Sequence, residues 1–336
     1  MTIYIFFIIL NLFFLTFYKK ISKLVNIYDE PDGVRKLQKE RVPLIGGILL
    51  YLNFLLIIIL DHVFSFKILE DYLLLFNKDF FSLFIVSSLV FILGIYDDKY
   101  SISPNTKLTL TFIFCFAALA MDENLIIDVV KLSFVDKEIF LGNFSYFFTI
   151  LCFLLFINAF NMFDGINLQS SVYSSLIFLV MFFVYNLKLF SLLFLIPSFG
   201  YICLNFKSKS FLGDGGSFFL AYLISYIFIK LYNNNIILFA DEIVLIMIIP
   251  GLDLLRVAVS RIILGKHPFS ADNRHLHYLL LKKLGYIKTF FAIQIIVILP
   301  YLSNEYLSLK NSIFLAIIFY ITLLIFGSLK KKRINY

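Results

Sequence analysis

Five short polar clusters interrupt an otherwise apolar chain, and they hold its chemistry-bearing side chains. They are PDGVRKLQKERVPLIGG at 31–47, DDKYSISPNTK at 97–107, NAFNMFDGIN at 158–167, FLGDGGS at 211–217 and PFSADNRHLH at 268–277. Four aspartates stand out: Asp97, Asp98, Asp164 and Asp214. Each adjoins an apolar run, where a single acid would be doing no more than meeting a membrane interface. Four such acids without adjacent partners imply more. Carboxylates gathered at one place repel and need a cation, and a donor set made only of oxygen favours Mg²⁺ or Mn²⁺ over zinc. Mg²⁺ takes one or two protein carboxylates and completes its shell with water and substrate phosphate, which points to phosphoryl chemistry.

The neighbours of these acids fit that chemistry. Asn158, Asn161 and Asp164 recur at a spacing of three, which lines them along one helix face. Carboxamides in hydrocarbon are costly unless satisfied, so that face must point into a polar cavity or bond a neighbouring helix. In Gly213-Asp214-Gly215-Gly216-Ser217 the glycines permit close backbone approach. Ser217 is placed to cap the helix that follows, whose N-terminus favours an anion. A connector would use the same residues. The last cluster adds Arg274, His275 and His277. Histidines two apart share a side only in an extended segment, and the pair can donate hydrogen bonds to a diphosphate. The three cysteines, Cys115, Cys152 and Cys203, are far apart in apolar stretches and form no metal or redox spacing.

What must position these clusters is a membrane bundle. The chain has 336 residues, 61% apolar and 15% charged, with 43 Phe and 20 Tyr, which excludes a soluble domain, a disordered chain and a disulfide scaffold. Spans of about 20 apolar residues are read near 3–18, 44–60, 80–96, 107–121, 144–160, 171–185, 187–204, 217–232, 243–259, 289–301 and 312–329. The fold class is therefore all-α, a polytopic integral membrane protein of about 11 transmembrane helices. The weaker stretch 68–76 is too short to span and reads as an interfacial helix. The first span lacks a basic leader and a small-residue cleavage site, so it is expected to stay attached.

Charge tests the segmentation. Alternating sides, with the N-terminus outside, puts 22 of the 29 Lys and Arg on the inner side. They fall as seven in 19–43, two in 97–107, two in 205–214, seven in 256–288 and four in 330–333. The acids divide 10 inside and 12 outside. That bias is the positive-inside pattern, with the N-terminus outside and the C-terminus cytoplasmic. It explains the net charge of +7 without nucleic acid. The outer connections read as ordinary. The polar clusters all fall inside, so the chain is expected to be one transmembrane domain, 1–336. Its site would be built from cytoplasmic loops 29–47, 97–107, 158–170, 205–217 and 256–288.

In this order and on this side, the five clusters resemble the polyprenyl-phosphate N-acetylhexosamine-1-phosphate transferases, which include the WecA-like and MraY-like enzymes. The resemblance runs from about residue 31 to 281. The last cluster is closer to the branch using UDP-N-acetylglucosamine than to the branch using UDP-MurNAc-pentapeptide. Gln38 stands where many relatives have His, Asn167 where many have Asp, and Tyr278 replaces the second member of a His pair. The resemblance implies a bacterial plasma-membrane enzyme, multi-pass, whose site faces the cytoplasm. It would transfer a sugar 1-phosphate, most simply N-acetylglucosamine 1-phosphate, from a UDP-sugar to undecaprenyl phosphate. UMP would be released and a lipid-linked envelope glycan begun. Another UDP-N-acetylhexosamine remains open, and relatives suggest a homodimer. By the same analogy Asp214 is the main Mg²⁺ ligand, with Asp164 beside it. Asp97 and Asp98 sit at the acceptor phosphate or the metal, and Lys107 neutralises phosphate. Asn161 and Asp164 help hold the nucleotide sugar, Asn158 and Gly215 are further substrate-binding residues, and Arg274, His275 and His277 hold the diphosphate. Outside this class the rival is a secondary transporter. Transporters place polar residues at mid-membrane in broken helices and paired halves, whereas these cluster at one face without repeats.

Overall fold

Eleven apolar runs become eleven helices in the computed structural model, which describes residues 2–31, 38, 40–64, 66, 68–69, 77–268 and 272–329. They are α1 Thr2–Val25, α2 Gly46–Phe64, α3 Asn77–Tyr100, α4 Pro104–Met121, α5 Ser145–Phe163, α6 Gln169–Phe183, α7 Lys188–Phe206, α8 Gly213–Asn233, α9 Ala240–Ile263, α10 Leu276–Ser303 and α11 Leu309–Ser328. Ten are long and apolar enough to cross a membrane, and α6, at 15 residues, is the short one. Each expected span overlaps one of them, overrunning its ends by at most two residues. Most of the stretch 68–76 lies outside the described residues. Two antiparallel two-residue ladders, β1 Tyr28–Asp29 with β2 Val42–Pro43 and β3 Val129–Val130 with β4 Ile139–Phe140, and two short 3-10 helices, Glu123–Leu125 and Gly142–Phe144, complete the regular structure of the described residues.

The helices form two compact units. The first comprises 1–130 and 138–238, the second 131–137 and 239–336. In the first, α8 is the core: every residue from Gly215 to Tyr232 is buried. A helix apolar on all sides must be enclosed by protein or lipid, and here α2, α3 and α5 pack directly against it. Phenylalanine fills the gaps. Tyr51 stacks on Phe91 with ring centroids 3.9 Å apart, and Phe219 meets Tyr51 edge-on at 5.4 Å. The outer helices keep apolar side chains exposed, as α1 does with Ile5, Phe6, Ile9, Leu12 and Phe13. That is the surface a bilayer requires and water does not.

The end of this unit opposite the acid-rich clusters is not ordinary. Lys230, fully buried on α8, lies 3.3 Å from Asp79 at the start of α3 and 2.8 Å from Asp122 at the end of α4. The Tyr226 hydroxyl donates to Asp122 at 2.6 Å. Burial pushes the Asp122 carboxyl up, against the pull of Lys230 and Tyr226. In the second unit α11 packs on both α9 and α10. Helix α10 is broken at Gly285, whose φ of 73° is open to glycine without a side-chain clash. The apolar span reads from 289 rather than from 276 because Lys282, Lys283 and Lys288 interrupt the run before it.

Candidate active site

Four helix ends of the first unit converge. The last turn of α3 supplies Asp97 and Asp98, the first turns of α4 supply Lys107, the end of α5 supplies Asn161 and the first turn of α8 supplies Asp214. The local sequence sets each of these ends. Helix α4 begins at Pro104 because Ser103 caps it, accepting from the Thr106 N–H at 3.1 Å, which fixes where Lys107 emerges. Lys107 Nζ pairs with Asp97 and lies 3.3 Å from an Asp214 oxygen. The other Asp214 oxygen accepts from Asn161 Nδ2 at 2.7 Å, and the same amide donates to Ser217 Oγ at 2.8 Å. Asp97 is sealed, its side chain 4% exposed and its second oxygen taken by the Ile102 N–H at 2.8 Å. Asp214, at 31%, remains open.

Asp98 does something different from its neighbour. Its two oxygens accept from the Asp214 N–H at 2.8 Å and the Gly215 N–H at 3.1 Å. These are orphan donors of the first turn of α8, so Asp98 caps that helix from outside it and places a negative charge at its positive end. The approach is possible because Gly213 has no side chain. Its φ is +74°, and a Cβ there would stand 2.6 Å from Asp98 Oδ2. Gly94, a turn earlier on α3, lets the α8 backbone in equally closely: a Cβ would stand 2.4 Å from the Asp214 carbonyl oxygen.

Two expectations change here. Helix α8 starts at Gly213, not at Ser217, so Ser217 is no cap; its hydroxyl donates to the Asp214 carbonyl at 3.2 Å. The three-residue spacing on α5 also does not deliver three site residues. Asn158 Nδ2 turns back to the Leu154 carbonyl of its own helix at 2.7 Å. Asp164 closes α5 and accepts from the Ser170 hydroxyl. Burial pushes its carboxyl up to about 7; the Ser170 hydrogen bond opposes this and the Asp214 charge adds to it. Gly215 takes part through its backbone N–H alone.

The second unit holds Arg274, His275 and His277. Arg274 is half-buried, with Nη1 3.2 Å from Ser260 Oγ and Nε 3.4 Å from Asp272. His275 is committed within the protein, Nδ1 to Asp253 at 2.8 Å and Nε2 to Arg261 at 3.3 Å. The two imidazoles are nearly parallel, 5.7 Å apart, and only His277, buried, has a ring nitrogen (Nε2) left without a partner. Sequence reasoning counted Arg256 only among the inner-loop charges and passed over Asp253, Asp272 and Tyr320; all four join this network. The signal available was Asp253 itself, an acid inside the apolar run of α9, which by default marks a function or a partner. Residues 32–37, 39 and 269–271 of the first and last clusters lie outside the described residues.

A divalent ion fits the first unit on charge and donor type. Three aspartates meet one lysine there, leaving a surplus of negative charge with oxygen donors. Among the described residues no three His, Cys, Asp or Glu side chains converge as a ready-made cage. Mg²⁺ does not require one when substrate phosphates complete its shell. Asp214 is the open carboxylate.

The architecture and this centre define a multi-pass, all-α membrane protein with a carboxylate–lysine centre built from helix ends. The family model for glycosyl transferase family 4 matches residues 80–232, which contain that centre. Over 283 residues the chain is 29% identical to the undecaprenyl-phosphate alpha-N-acetylglucosaminyl 1-phosphate transferase of Escherichia coli O157:H7, covering 80% of this chain and 73% of the relative. It is 27% identical to the protein of the same name from Yersinia pestis, covering 83% and 76%, and 25% identical to that of Salmonella typhi, covering 79% and 71%. The match to glycosyl transferase family 4 covers a little under half of the chain.

Proposed function

We propose that the protein transfers N-acetylglucosamine 1-phosphate from UDP-N-acetylglucosamine to undecaprenyl phosphate, releasing UMP, at the cytoplasmic face of a bacterial plasma membrane. The observation that carries this reading is the convergence of Asp97, Lys107, Asn161 and Asp214 from four helices. The relatives' shared name supports the choice of substrates.

The chemistry asks little of a base. A phosphate monoester has its second pKa near about 6, so the lipid phosphate arrives mostly dianionic. One of its oxygens attacks the phosphorus that carries the sugar. The bond from that phosphorus to the bridging oxygen breaks, and the electron pair leaves with UMP. Two negative charges enter on the lipid phosphate and two leave on UMP, so no proton need be moved. What remains is positioning and charge neutralisation, which dominate phosphoryl transfer. An ammonium has three donors. Lys107 gives one to Asp97 and one to Asp214, which leaves one for an incoming phosphate. Asp97 acts here by holding Lys107, and Asn161 by fixing the rotamer of Asp214. Asp214, with Asp164 as the second carboxylate, would hold Mg²⁺, which when bound neutralises the diphosphate and the leaving UMP.

The test is purified protein in detergent or nanodiscs with Mg²⁺, undecaprenyl phosphate and a panel of UDP-sugars, measuring UMP. Release dependent on both lipid phosphate and UDP-N-acetylglucosamine is expected. Release with a different UDP-hexosamine alone would correct the sugar, and none with any would refute the reading.

A further inference from the structure

Helices α1 and α7 pack side by side in the first unit, and neither supplies a side chain to the carboxylate–lysine centre. Between them runs an open groove of about 410 Å³, walled by Ile8, Leu12 and Leu15 of α1 and by Leu195, Phe199 and Gly200 of α7. Phe199, at its mouth, is 70% exposed. Gly200 makes the room, since a Cβ there would stand 3.3 Å from Leu15 Cδ1. Asn11 also borders the groove, but its amide is taken up by the Phe7 carbonyl at 2.8 Å and by Asn53 at 2.9 Å. The groove therefore offers an occupant apolar contact alone.

The same helix faces turn basic where the groove ends. Steps of four lead from Leu15 to Lys19 and Lys23 on α1, and from Phe199 through Cys203 to Lys207 at the end of α7. Residues four apart share a face, and four residues rise about 6 Å, so the first ammonium follows the groove within about one turn. Lys209, in the turn before α8, lies over the Tyr18 ring at 5.6 Å, and Lys20 lies over Phe17 at 5.3 Å. Lysines of α1 and of the turn after α7 thus share one surface. All five are exposed, and among the described residues none is paired with an acid. This surface is at the Asp214 end of the unit. Ile27, just past α1, accepts from the Leu44 N–H, and the Gly46 and Gly47 N–H groups donate to the Phe211 and Leu212 carbonyls ahead of α8.

Topology alone accounts for lysines on one side of a membrane. It does not account for an apolar groove that runs into five unpaired ones. We propose that this face binds an anionic phospholipid of the adjoining leaflet, with an acyl chain in the groove and the phosphate among Lys19, Lys23, Lys207 and Lys209. Basic pockets at the ends of membrane helices take anionic headgroups in this way. The acceptor of the proposed reaction is a different occupant, because its phosphate has to reach Lys107 and Asp214 on α4 and α8. Phospholipid binding here does not depend on the transferase reading, and it is measured without turnover.

The chain has no tryptophan, so Phe199→Trp places a single reporter at the mouth of the groove. The full-length variant is put into nanodiscs of phosphatidylcholine and phosphatidylglycerol, with brominated chains on one lipid or the other. Bromine quenches a tryptophan at contact, so the two quenching curves give the relative affinity of the lipids at that position. Phosphatidylglycerol should be preferred about tenfold or more, since a lysine near the headgroup contributes about fivefold. Lys19→Gln combined with Lys207→Gln should cut the preference severalfold, and added salt should weaken it. Phe116→Trp, exposed on α4 toward the opposite end of the unit, should show none. Equal quenching by the two lipids at position 199, the same preference at 116, or one that survives the lysine substitutions would overturn the proposal. Displacement of phosphatidylglycerol by stoichiometric undecaprenyl phosphate would also overturn it, giving the groove to the acceptor. Quenching by neither lipid would give the groove to a second copy of the chain. Leu12→Trp, on the other wall, carries the reporter if Phe199→Trp does not fold.

Discussion

Asp97 and Asp98 are adjacent and identical in type, yet their surroundings assign them different work, and substitution separates the two. Asp98 gives both oxygens to the first N–H groups of α8, at 2.8 and 3.1 Å. A hydrogen bond to a charged group contributes about 1.5–3 kcal/mol. Asp98→Ala removes two, a loss of about 3–6 kcal/mol. Asp98→Asn keeps one acceptor and turns an NH₂ toward the other N–H, a loss of about half that. The stability change is readable without tryptophan, which the chain lacks. Cys115 is buried, Cys152 half-buried and Cys203 exposed, so in a Cys152→Ser background a thiol-reactive dye gives a constant baseline from Cys203 and an unfolding signal from Cys115. Both variants should unfold at lower temperature in detergent, with alanine the lower. Activity follows by geometry, because Asp214 is in the turn that Asp98 holds. A misplacement of about 1 Å costs on the order of a hundredfold, so Asp98→Asn should retain about a tenth to a hundredth of the UMP release. Asp214→Asn should fall to background while unfolding near the wild-type temperature. If Asp98→Asn matched Asp214→Asn in activity with no loss of thermal stability, Asp98 would be acting on the reactants and the capping argument would fail.

Three further substitutions test the frame around the two networks. Gly94→Ala places a Cβ 2.4 Å from the Asp214 carbonyl; it should push α3 and α8 apart and abolish transfer, whereas Gly251→Ala, where a Cβ meets nothing within 4 Å, should leave UMP release unchanged. Lys230→Met strands Asp79 and Asp122 without their shared cation, which for a buried pair costs about 3–5 kcal/mol. The dye assay should report that loss, and the double substitution of Asp122 and Lys230 to apolar residues should recover part of it. Burial pushes the Asp272 carboxyl up, but the Arg261 side chain and the Arg274 N–H and charge outweigh it and hold it below the ordinary range. A lowered carboxyl stabilises the fold above the unfolded pKa of about 3.9 and loses that contribution as pH falls. Asp272→Asn should therefore unfold below the wild type at pH 7, and the gap should close in acid. A gap that widened in acid would contradict the assigned ion pair.

Much of this architecture could be read from the sequence because hydrocarbon allows few alternatives. A run of apolar residues long enough to span must be helical, and so eleven runs gave eleven helices even where α6 is short. Helix α8 shows the limit. Its residues read as one more span, because burial in protein and exposure to lipid both select apolar side chains. Only the Tyr, Ser and Lys scattered through it, Tyr222, Ser225, Tyr226 and Lys230, hint that it faces protein on all sides. The site divides the same way. Asp97, Lys107, Asn161 and Asp214 could be identified because polar side chains at span ends are few and fell in one set of loops. Asn158 failed because a helical spacing fixes the face on which a residue lies, while its amide was free to bond the carbonyl four residues back.

The mistakes about charge have a common physical origin. Counting Lys230 as an outer basic residue, and Asp79 and Asp122 as outer acids, treats each charge as independent and solvated. In the structure they neutralise one another at a helix end with almost no exposure. The same applies to His275, read as a donor to substrate from its two-residue spacing with His277 and from the family resemblance. Its partners are Asp253, 22 residues earlier, and Arg261, 14 residues earlier, and no local pattern contains them. Composition fixes how many charges an apolar chain carries, and topology fixes on which side they emerge. Whether a given charge meets a reactant or another side chain depends on contacts between distant helices. Asp98, bound up in such contacts, is therefore the residue whose substitution best separates framework from chemistry.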